Sequence, residues 1–382
     1  MARTPLRPDD PTRLGNYRLT ARLGSGGMGV VYLGVAWDGS QVAVKVLRPE
    51  LANDQEFRRR FGREVAALVR VKGAYTVRVI EADSQSSTPF VVTEYAQGPS
   101  LSEHIDKNGS VSPDMLYGLA TGLAEALTMI HAAGIMHRDL KPSNIILTDA
   151  GPKVIDFGIA RRQDTTAMTQ TGMMVGSMGF MAPEQISGHP GPAADIFAWG
   201  VTVAYAAAGR SPFGAGNTHS VLYRIMYGEA DIAAVPDGLR PLVEAALAKD
   251  PQGRPTAQQL LDQLTSASRR AGRVSDAPTQ VISSQIWPTG LYSRPPASGS
   301  DGASRALPGG FSPAAPEPPT ADSPASEVPA SELPAPESPA PEAPGTRKIP
   351  VGRRMATMAA SALVAMRRRR PGRREAGRPR PK

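Results

Sequence analysis

The residues with the clearest chemical potential lie in the run IMHRDLKPSNIIL, residues 135–147. Between two apolar runs it carries a carboxylate at Asp139, an amine at Lys141 and an amide at Asn144, while Pro142 interrupts any helix. A carboxylate can orient a hydroxyl and accept its proton, an amine can neutralise a moving phosphoryl group, and an amide oxygen can bind a metal ion. Together these side chains predict phosphoryl transfer.

A second metal-binding side chain is predicted in KVIDFGIA. Asp156 follows a β-type run and precedes Phe157 and Gly158, so its carboxylate stands at a strand end beside a glycine that frees the backbone. Such a hard oxygen ligand suits Mg²⁺. An aspartate that only caps a turn is the alternative.

The run LGSGGMGVVYLG places Gly24, Gly26 and Gly29 in G-x-G-x-x-G spacing. The motif alone is weak, because 38 of the 382 residues are glycine. Its position between two predicted strands, rather than before a helix, favours a hairpin whose bare backbone covers phosphates. A glycine-rich hairpin without a ligand is the alternative.

Lys45 lies within the apolar run QVAVKVL, where a charged amine is expected only if it is paired. We expect it to hold phosphate oxygens and a carboxylate. Glu64 is the expected partner, since it lies on the apolar stripe of the neighbouring predicted helix beside Phe61 and Leu68. A surface-facing lysine and an ordinary exposed glutamate are the alternatives.

The elements that must position these groups fall into two sets. Residues 17–97 are predicted to be mostly strand, with one helix from about 54 to 70. Residues 98–266 are predicted to be mostly helical, and AADIFAWGVTVAYAAAG is apolar on nearly every side, as a buried central helix would be. Strands followed by helices predict an α+β fold with a small β-rich lobe, a larger helical lobe and a ligand cleft between them.

The flanking segments have different compositions. Residues 1–16 form a Pro- and Arg-rich leader that is predicted to be flexible. Residues 267–350 are predicted to be a disordered linker rich in Pro, Ala, Ser and Glu, with 12 prolines in residues 311–350 alone. The absence of cysteine excludes disulfides and thiolate chemistry, and the N-terminus has no apolar segment typical of a signal peptide.

From residue 17 to about 266 the chain resembles the eukaryotic-like (Hanks-type) serine/threonine protein kinases of bacteria. The matching stretches are, in order, GSGGMGVV, VAVK, Glu64, TEYA, HRDLKPSN, DFG, APE, DIFAWG and RP at Arg254. The resemblance implies the two-lobed protein kinase fold, with an N-lobe over 17–97 and a C-lobe over 98–266. It also implies an enzyme that uses ATP and Mg²⁺ to phosphorylate Ser and Thr hydroxyls of proteins in signal transduction.

The resemblance also implies roles for the matching residues. Asp139 would be the catalytic base, Lys141 would face the γ-phosphate, Lys45 would hold the α- and β-phosphates while paired with Glu64, and Asn144 and Asp156 would hold Mg²⁺. The ATP-binding residues would be Leu23, Gly24, Ser25, Gly26, Gly27, Met28, Gly29, Val31, Ala43, Lys45, Glu94 and Ala96. Glu184 and Arg254 would form a buried ion pair, and Asp195 would tie the central helix to the catalytic loop.

Regulation by self-phosphorylation is implied by Arg138, which precedes the catalytic aspartate. In this family such an arginine pairs with a phosphothreonine of the activation segment. That segment offers Thr165, Thr166, Thr169 and Thr171. Thr169 and Thr171 are the predicted phosphorylation sites, and self-association would allow one copy to phosphorylate another.

Two residues depart from the family pattern G-T-x-x-Y-x-x-P-E. Ser177 replaces Thr and keeps the hydroxyl, whereas Phe180 replaces Tyr and loses one. Substrate positioning is therefore less clearly implied than ATP binding.

The tail, residues 351–382, contains a short apolar stretch and an Arg-rich end. Ten Arg and one Lys against one Glu give this tail a net charge of about +10. Because the whole chain has a net charge of +8, the first 350 residues sum to about −2. The 12 uncharged residues 355–366 would form about 18 Å of helix against a hydrocarbon core of about 30 Å, so they are not expected to span a membrane.

The tail is therefore predicted to be either a solvated arm or a contact for a phosphate-rich partner, such as an anionic membrane surface or nucleic acid. Of these two partners nucleic acid is not the expected one, because the remainder of the chain is not basic. The predicted location is the cytoplasm, with contact at the inner membrane face through the tail.

Three alternatives concern partners and activity. Thr279, in APTQVISS, is either a docking site for a phosphothreonine-reading domain or an unused linker residue. The chain as a whole is either an active kinase or a docking protein that keeps the fold without activity; Lys45, Asp139, Asn144 and Asp156 favour the first. A small-molecule substrate is disfavoured by the long activation segment.

Overall fold

The structure, a computed structural model, describes residues 3–157, 178–188, 190–270 and Trp287. All of them lie in one compact unit, Met1–Gly302. The predicted α+β arrangement is confirmed: the strands of a sheet lobe come first, and the helices of a second lobe follow.

Within the described residues the sheet lobe holds one antiparallel sheet with strand order β1-β2-β3-β4-β6-β5. Its strands are β1 (Arg13–Leu14), β2 (Tyr17–Ser25), β3 (Gly29–Val35), β4 (Gln41–Leu47), β5 (Val79–Asp83) and β6 (Phe90–Glu94). Alternation along β4 sends Val42 and Val44 into the apolar cluster on the outer face. Ala43 and Lys45, one step out of phase, therefore point to the inner face, where the other lobe lies.

Residues 3–16 of the leader contact the sheet lobe, which differs from the predicted flexibility. Thr4 exchanges two backbone hydrogen bonds with Arg22 of β2, at 3.0 and 2.8 Å. Leu6 and Leu14 pack against the outer-face cluster. Asp10 accepts from Arg22 Nε at 2.6 Å and from the Tyr32 hydroxyl at 2.7 Å, and the bond from Arg22 holds the pKa of Asp10 well below its ordinary value.

The predicted helix of the sheet lobe is α2 (Gln55–Leu68), preceded by a short α1 (Pro49–Ala52) that the sequence did not indicate. Asp54 caps α2, accepting from the backbone N–H of Glu56 and of Phe57. The buried residues of α2 are Phe57, Phe61, Val65 and Leu68, one helical stripe.

The helical lobe is built around one apolar helix. Its helices are α3 (Leu101–Asn108), α4 (Pro113–Ala132), α5 (Pro183–Ser187), α6 (Ala193–Ala208), α7 (Thr218–Tyr227), α8 (Arg240–Ala246) and α9 (Ala257–Arg270). The central helix is α6, as predicted, and the Trp199 indole N–H donates to the Ala120 carbonyl of α4 at 2.9 Å. A small hairpin, β7 (Ile145–Thr148) and β8 (Gly151–Val154), lies between α4 and α5 in the chain.

Two boundaries of the sequence prediction change. Helix α9 continues to Arg270, beyond the predicted domain end at 266. Trp287, within the predicted disordered linker, is 3% exposed and packs in the main apolar core. The rest of the linker and the whole tail lie outside the described residues. None of the helices within 3–157, 178–188 and 190–270 has the length and apolar content needed to cross a membrane.

Candidate active site

In the catalytic loop, residues 137–144, the side chains of Lys141 and Asn144 meet at the Asp139 carboxylate. Lys141 Nζ lies 3.0 Å from Asp139 Oδ2. A one-turn 3₁₀ helix, Pro142–Asn144, brings the Asn144 side chain back, and its Nδ2 donates to the Asp139 carbonyl at 2.8 Å and to Oδ2 at 3.2 Å. The carboxylate is thus oriented from two sides by groups within five residues of it in the chain.

The backbone of this loop is held by Asp195 at the start of α6. Arg138 has φ of 62°, a left-handed conformation that costs free energy for a non-glycine residue. The Asp195 carboxylate offsets this cost by accepting from the backbone N–H of His137 at 2.8 Å and of Arg138 at 2.7 Å. The predicted tie between the central helix and the catalytic loop is therefore a pair of charge-assisted hydrogen bonds.

His131 also contacts this tie, a role that the sequence analysis missed. Its Nε2 lies 2.8 Å from Asp195 Oδ2. The available sequence signal was a histidine in the last turn of α4. The contact from His131 fixes the orientation of the Asp195 carboxylate.

His137 links the catalytic loop to the segment that carries Asp156. Its Nδ1 accepts from the backbone N–H of Asp139 at 3.3 Å, and its Nε2 donates to the Ile155 carbonyl at 3.1 Å. This is the pattern of a neutral imidazole, and burial lowers the pKa of His137, which keeps it neutral. The ring also packs against Phe157, with centroids 5.6 Å apart.

The two predicted metal ligands flank the β7–β8 hairpin. Asn144 directly precedes β7, Asp156 follows β8 by two residues, and the Ile155 N–H donates to the Asn144 carbonyl at 2.9 Å. Because Asn144 Nδ2 donates to Asp139, the amide oxygen is the atom that Asn144 can offer to a cation. An amide oxygen and a carboxylate form a donor set that fits Mg²⁺.

The predicted pair between Lys45 and Glu64 is not present. Lys45 Nζ instead forms an ion pair with Asp156 Oδ1, and Glu64 Oε1 accepts from Arg138 Nη1 at 3.1 Å. Burial raises the pKa of Glu64, although Arg138 opposes this effect. Two cations, Lys45 and Arg138, lie near two carboxylates. The sequence pattern alone does not determine which cation pairs with which carboxylate.

The glycine-rich turn between β2 and β3 contains two kinds of glycine. Gly24, Gly26 and Gly27 have open space where a Cβ would stand, as a backbone that covers a ligand requires. Gly29 differs, because a Cβ there would lie 1.9 Å from the Val46 carbonyl oxygen. It therefore allows the close approach of β3 and β4 that sets Val31 opposite Lys45.

The remaining predicted nucleotide-binding residues follow the same strands. Leu23 and Ser25 end β2, Met28 precedes β3, Ala43 lies on β4, and Glu94 ends β6, two residues before Ala96. An ion pair that the sequence did not indicate joins the lobes here: Lys153 Nζ of β8 lies 2.7 Å from Glu94 Oε1.

The predicted pair of Glu184 and Arg254 is brought together by α5 and the segment before α9. Arg254 Nη1 and Nη2 donate to the two oxygens of Glu184 at 2.6 and 2.9 Å. The side chains are 0% exposed for Arg254 and 10% for Glu184. This bidentate pair anchors α5.

The family model of the protein kinase domain matches residues 17–264. The chain belongs to the protein kinase family. Its similar curated proteins are bacterial serine/threonine kinases of the Hanks type.

A probable serine/threonine-protein kinase, PkwA, of Thermomonospora curvata is 48% identical over 263 residues, which cover 69% of this chain and 35% of PkwA. The serine/threonine-protein kinase AfsK of Streptomyces coelicolor is 42% identical, with 68% and 33% covered. The chain thus spans about a third of the length of these relatives.

The fold is also that of solved kinase domains. The kinase domain of PknI from Mycobacterium tuberculosis is similar with a TM-score of 0.53 and 24% identity, over 67% of this chain and 97% of that one. The structure of Rad53 in complex with AMP-PNP is similar with a TM-score of 0.56 and 22% identity, over 65% of this chain and 64% of that one.

A small pocket of the helical lobe lies beside Asp139. Phe180, Met181 and Gln185 line it together with Asp139. Gln185 Nε2 donates to the Arg138 carbonyl at 3.3 Å, and the Phe180 ring packs edge-on against Tyr205 at 5.7 Å. The phenylalanine that departs from the family pattern therefore packs within the lobe. The predicted sites Thr169 and Thr171, as well as Ser177, lie outside the described residues.

Proposed function

We propose that this chain is a serine/threonine protein kinase that transfers the γ-phosphoryl group of ATP to hydroxyls of protein substrates. The observation that carries the proposal is the convergence of four side chains from three parts of the sequence. Lys45 meets Asp156, and Asn144 meets Asp139, although 111 residues separate the first pair. This is the set of charges that phosphoryl transfer requires.

ATP and Mg²⁺ are the proposed cofactors. The glycine-rich turn and Lys45 would hold the phosphates, Glu94 and Ala96 would hold adenine through their backbone, and Asn144 and Asp156 would hold the metal. When bound, Mg²⁺ neutralises charge that develops on the phosphates. The oxygen donors at Asn144 and Asp156 support this proposal, as does the open space at Gly24, Gly26 and Gly27.

The chain's own residues supply the remaining chemistry. Asp139 would orient the substrate hydroxyl and accept its proton, while Asn144 fixes the carboxylate rotamer through the 3.2 Å contact to Oδ2. Lys141, 3.0 Å from that oxygen, would lie near the transferred phosphoryl group. The left-handed backbone at Arg138, held by Asp195, keeps the Asp139 carboxylate in place.

Regulation and partners form the finer part of the proposal. Self-phosphorylation at Thr169 and Thr171, with self-association allowing one copy to phosphorylate another, would give Arg138 a phosphate partner in place of Glu64. Thr279 would dock a phosphothreonine-reading domain, and the Arg-rich tail would contact an anionic membrane from the cytoplasm. The exchange at Arg138 is supported by its present contact with a carboxylate, because an arginine that holds one anion can hold a more highly charged one.

The test is incubation of the purified full chain with γ-labelled ATP, Mg²⁺ and a generic protein substrate. Asp139→Asn is expected to lower the incorporated label by about 100- to 10,000-fold, because it removes the base. The matched control is Asp237→Asn, since the Asp237 side chain is 91% exposed; it should incorporate label as the unaltered chain does. Phosphosite mapping should locate label at Thr169 and Thr171.

Two outcomes would contradict the proposal. An undiminished label with Asp139→Asn would assign the chemistry to another group. No label with the unaltered chain would favour the docking protein.

A further inference from the structure

Trp287 is buried in a segment whose composition predicts disorder. It is 3% exposed, packs within the main apolar core, and its indole N–H donates to the Thr148 carbonyl at 2.8 Å. The chain's other two tryptophans give a scale: Trp199 in α6 is 0% exposed and Trp37 in a turn is 91% exposed. Trp287 is thus as enclosed as a residue of the central helix.

The acceptor, the Thr148 carbonyl, lies at the turn of the β7–β8 hairpin, and both proposed metal ligands flank this hairpin. Thr148 is the last residue of β7, whose first residue follows Asn144, and β8 leads within two residues to Asp156. The Thr148 hydroxyl donates to the Gly151 carbonyl at 2.8 Å across the same turn. A contact at Thr148 therefore acts on the end of the hairpin opposite to the metal ligands.

The rest of the hairpin is fixed by neighbours on both lobes. The Leu147 N–H donates to the Pro99 carbonyl at 2.9 Å, and the Val154 N–H donates to the Tyr75 carbonyl at 2.8 Å. Lys153 joins it to Glu94. Since the hairpin is held along both strands, fixing its turn as well leaves it little freedom to tilt, and a tilt would move Asn144 and Asp156.

The indole is chemically suited to this place. It offers a large apolar surface and a single donor, and the site offers an apolar core and a single backbone carbonyl. The chain can also reach it: the 16 residues between Arg270 and Trp287 can span up to about 55 Å when extended. The family match ends at residue 264, so it does not contain this contact.

We propose that Trp287 is an intramolecular docking residue, which binds at the β7–β8 turn and thereby positions Asn144 and Asp156. Its occupant is the same chain, because Trp287 and the hairpin lie in one compact unit, Met1–Gly302. The docking itself is independent of the proposed enzyme activity, whereas the positioning role rests on the proposed function.

Docking is tested by tryptophan fluorescence of the full chain with acrylamide as the quencher. Trp287→Phe should remove a blue-shifted component that acrylamide does not reach, and the matched Trp37→Phe should remove the red-shifted, accessible component. Loss of an accessible component with Trp287→Phe would overturn the docking. Protection that disappears on about 100-fold dilution would assign the occupant to a second copy instead, because only intermolecular contacts depend on concentration.

Positioning is tested by the Mg²⁺ concentration that gives half-maximal kinase activity. Trp287→Ala should raise it at least about threefold, less than the 10- to 100-fold typical of groups that contact a metal ligand directly, with kcat at saturating Mg²⁺ unchanged within about twofold. Trp287→Phe should rescue part of the shift, and Trp37→Ala should cause none. A protected Trp287 without any shift in Mg²⁺ dependence would overturn the positioning role while leaving the proposed enzyme activity intact.

Discussion

Two ion pairs were predicted for this protein, and they differ in outcome. Glu184 and Arg254 meet as predicted, whereas Lys45 pairs with Asp156 and leaves Glu64 to Arg138. The family resemblance implied both pairs, and the apolar stripe of α2 also indicated Glu64 as the partner of Lys45. The difference therefore lies in the surroundings of the charges.

Arg254 has one possible arrangement. Besides its two bonds to Glu184, it donates to the carbonyls of Ala248, Ala193 and Lys249, at 2.7, 2.9 and 3.2 Å. All five N–H groups of the guanidinium thus have acceptors, and its side chain is 0% exposed. Loss of Glu184 would leave two of these buried donors unpaired.

The cleft between the lobes offers more than one arrangement. Lys45 and Asp156 are 20% and 37% exposed, and Arg138 and Glu64 are 21% and 20% exposed. Because these side chains are partly exposed to water, exchanging their partners should cost less free energy than it would at the fully buried Arg254. A pair that is fully buried, with every guanidinium donor satisfied, is therefore more firmly set than a pair that lies partly in water.

The largest expected effect is on stability at the fixed pair. Arg254→Met leaves the Glu184 carboxylate buried without its partner, and the free energy of unfolding should fall by about 3 to 5 kcal/mol. Urea denaturation followed by circular dichroism measures it. The matched control is Arg210→Met, whose pair with Asp231 is exposed and should contribute less than about 1 kcal/mol. Equal losses for the two variants would remove the distinction between the pairs.

The exchangeable pair should show the opposite profile. Lys45→Met should lower label incorporation by at least about 100-fold, because it would remove the cation that we propose holds the ATP phosphates, while stability changes by less than about 1 kcal/mol. Lys107→Met, an exposed lysine in the last turn of α3, is the control and should change neither quantity. A loss of stability as large as that of Arg254→Met would contradict the comparison.

The smallest effect concerns pH. Because burial raises the pKa of Glu64 above its ordinary value of 4.5, the ionised carboxylate opposes folding, and this destabilisation is lost as pH falls through the raised pKa. When pH falls from 7 to 5, the free energy of unfolding of the unaltered chain should therefore rise relative to that of Glu64→Gln. Denaturation curves of both chains at the two pH values measure this difference. If the unaltered chain instead loses stability relative to Glu64→Gln as pH falls, the pair with Arg138 outweighs the effect of burial.

The sequence predicted the parts of the site that depend on local spacing. Asp139, Lys141 and Asn144 lie within six residues, so a short loop must bring them together. Lys45 was placed by alternation, since Val42 and Val44 occupy the opposite face of β4. Such inferences need only the period of a strand or the reach of a turn.

The parts that it missed depend on partners far away in the chain. Asp10 acquires its role only because Arg22 and Tyr32 end beside it, and a Pro- and Arg-rich composition hid it. Trp287 was hidden by the composition of the linker in the same way, and its acceptor, Thr148, is 139 residues away. Composition describes the average property of a segment, whereas a single aromatic or carboxylate side chain can bind to the folded part of the protein.

The ordered leader determines where this chain can be cut. A fragment that begins at residue 17, where the family match begins, would lose Thr4, β1 and the Asp10 carboxylate. The outer edge of β2 would then present unpaired N–H and C=O groups to solvent, and such an edge is a template for strand pairing between molecules. A fragment trimmed to the family boundaries should therefore aggregate more readily than one that keeps the first sixteen residues.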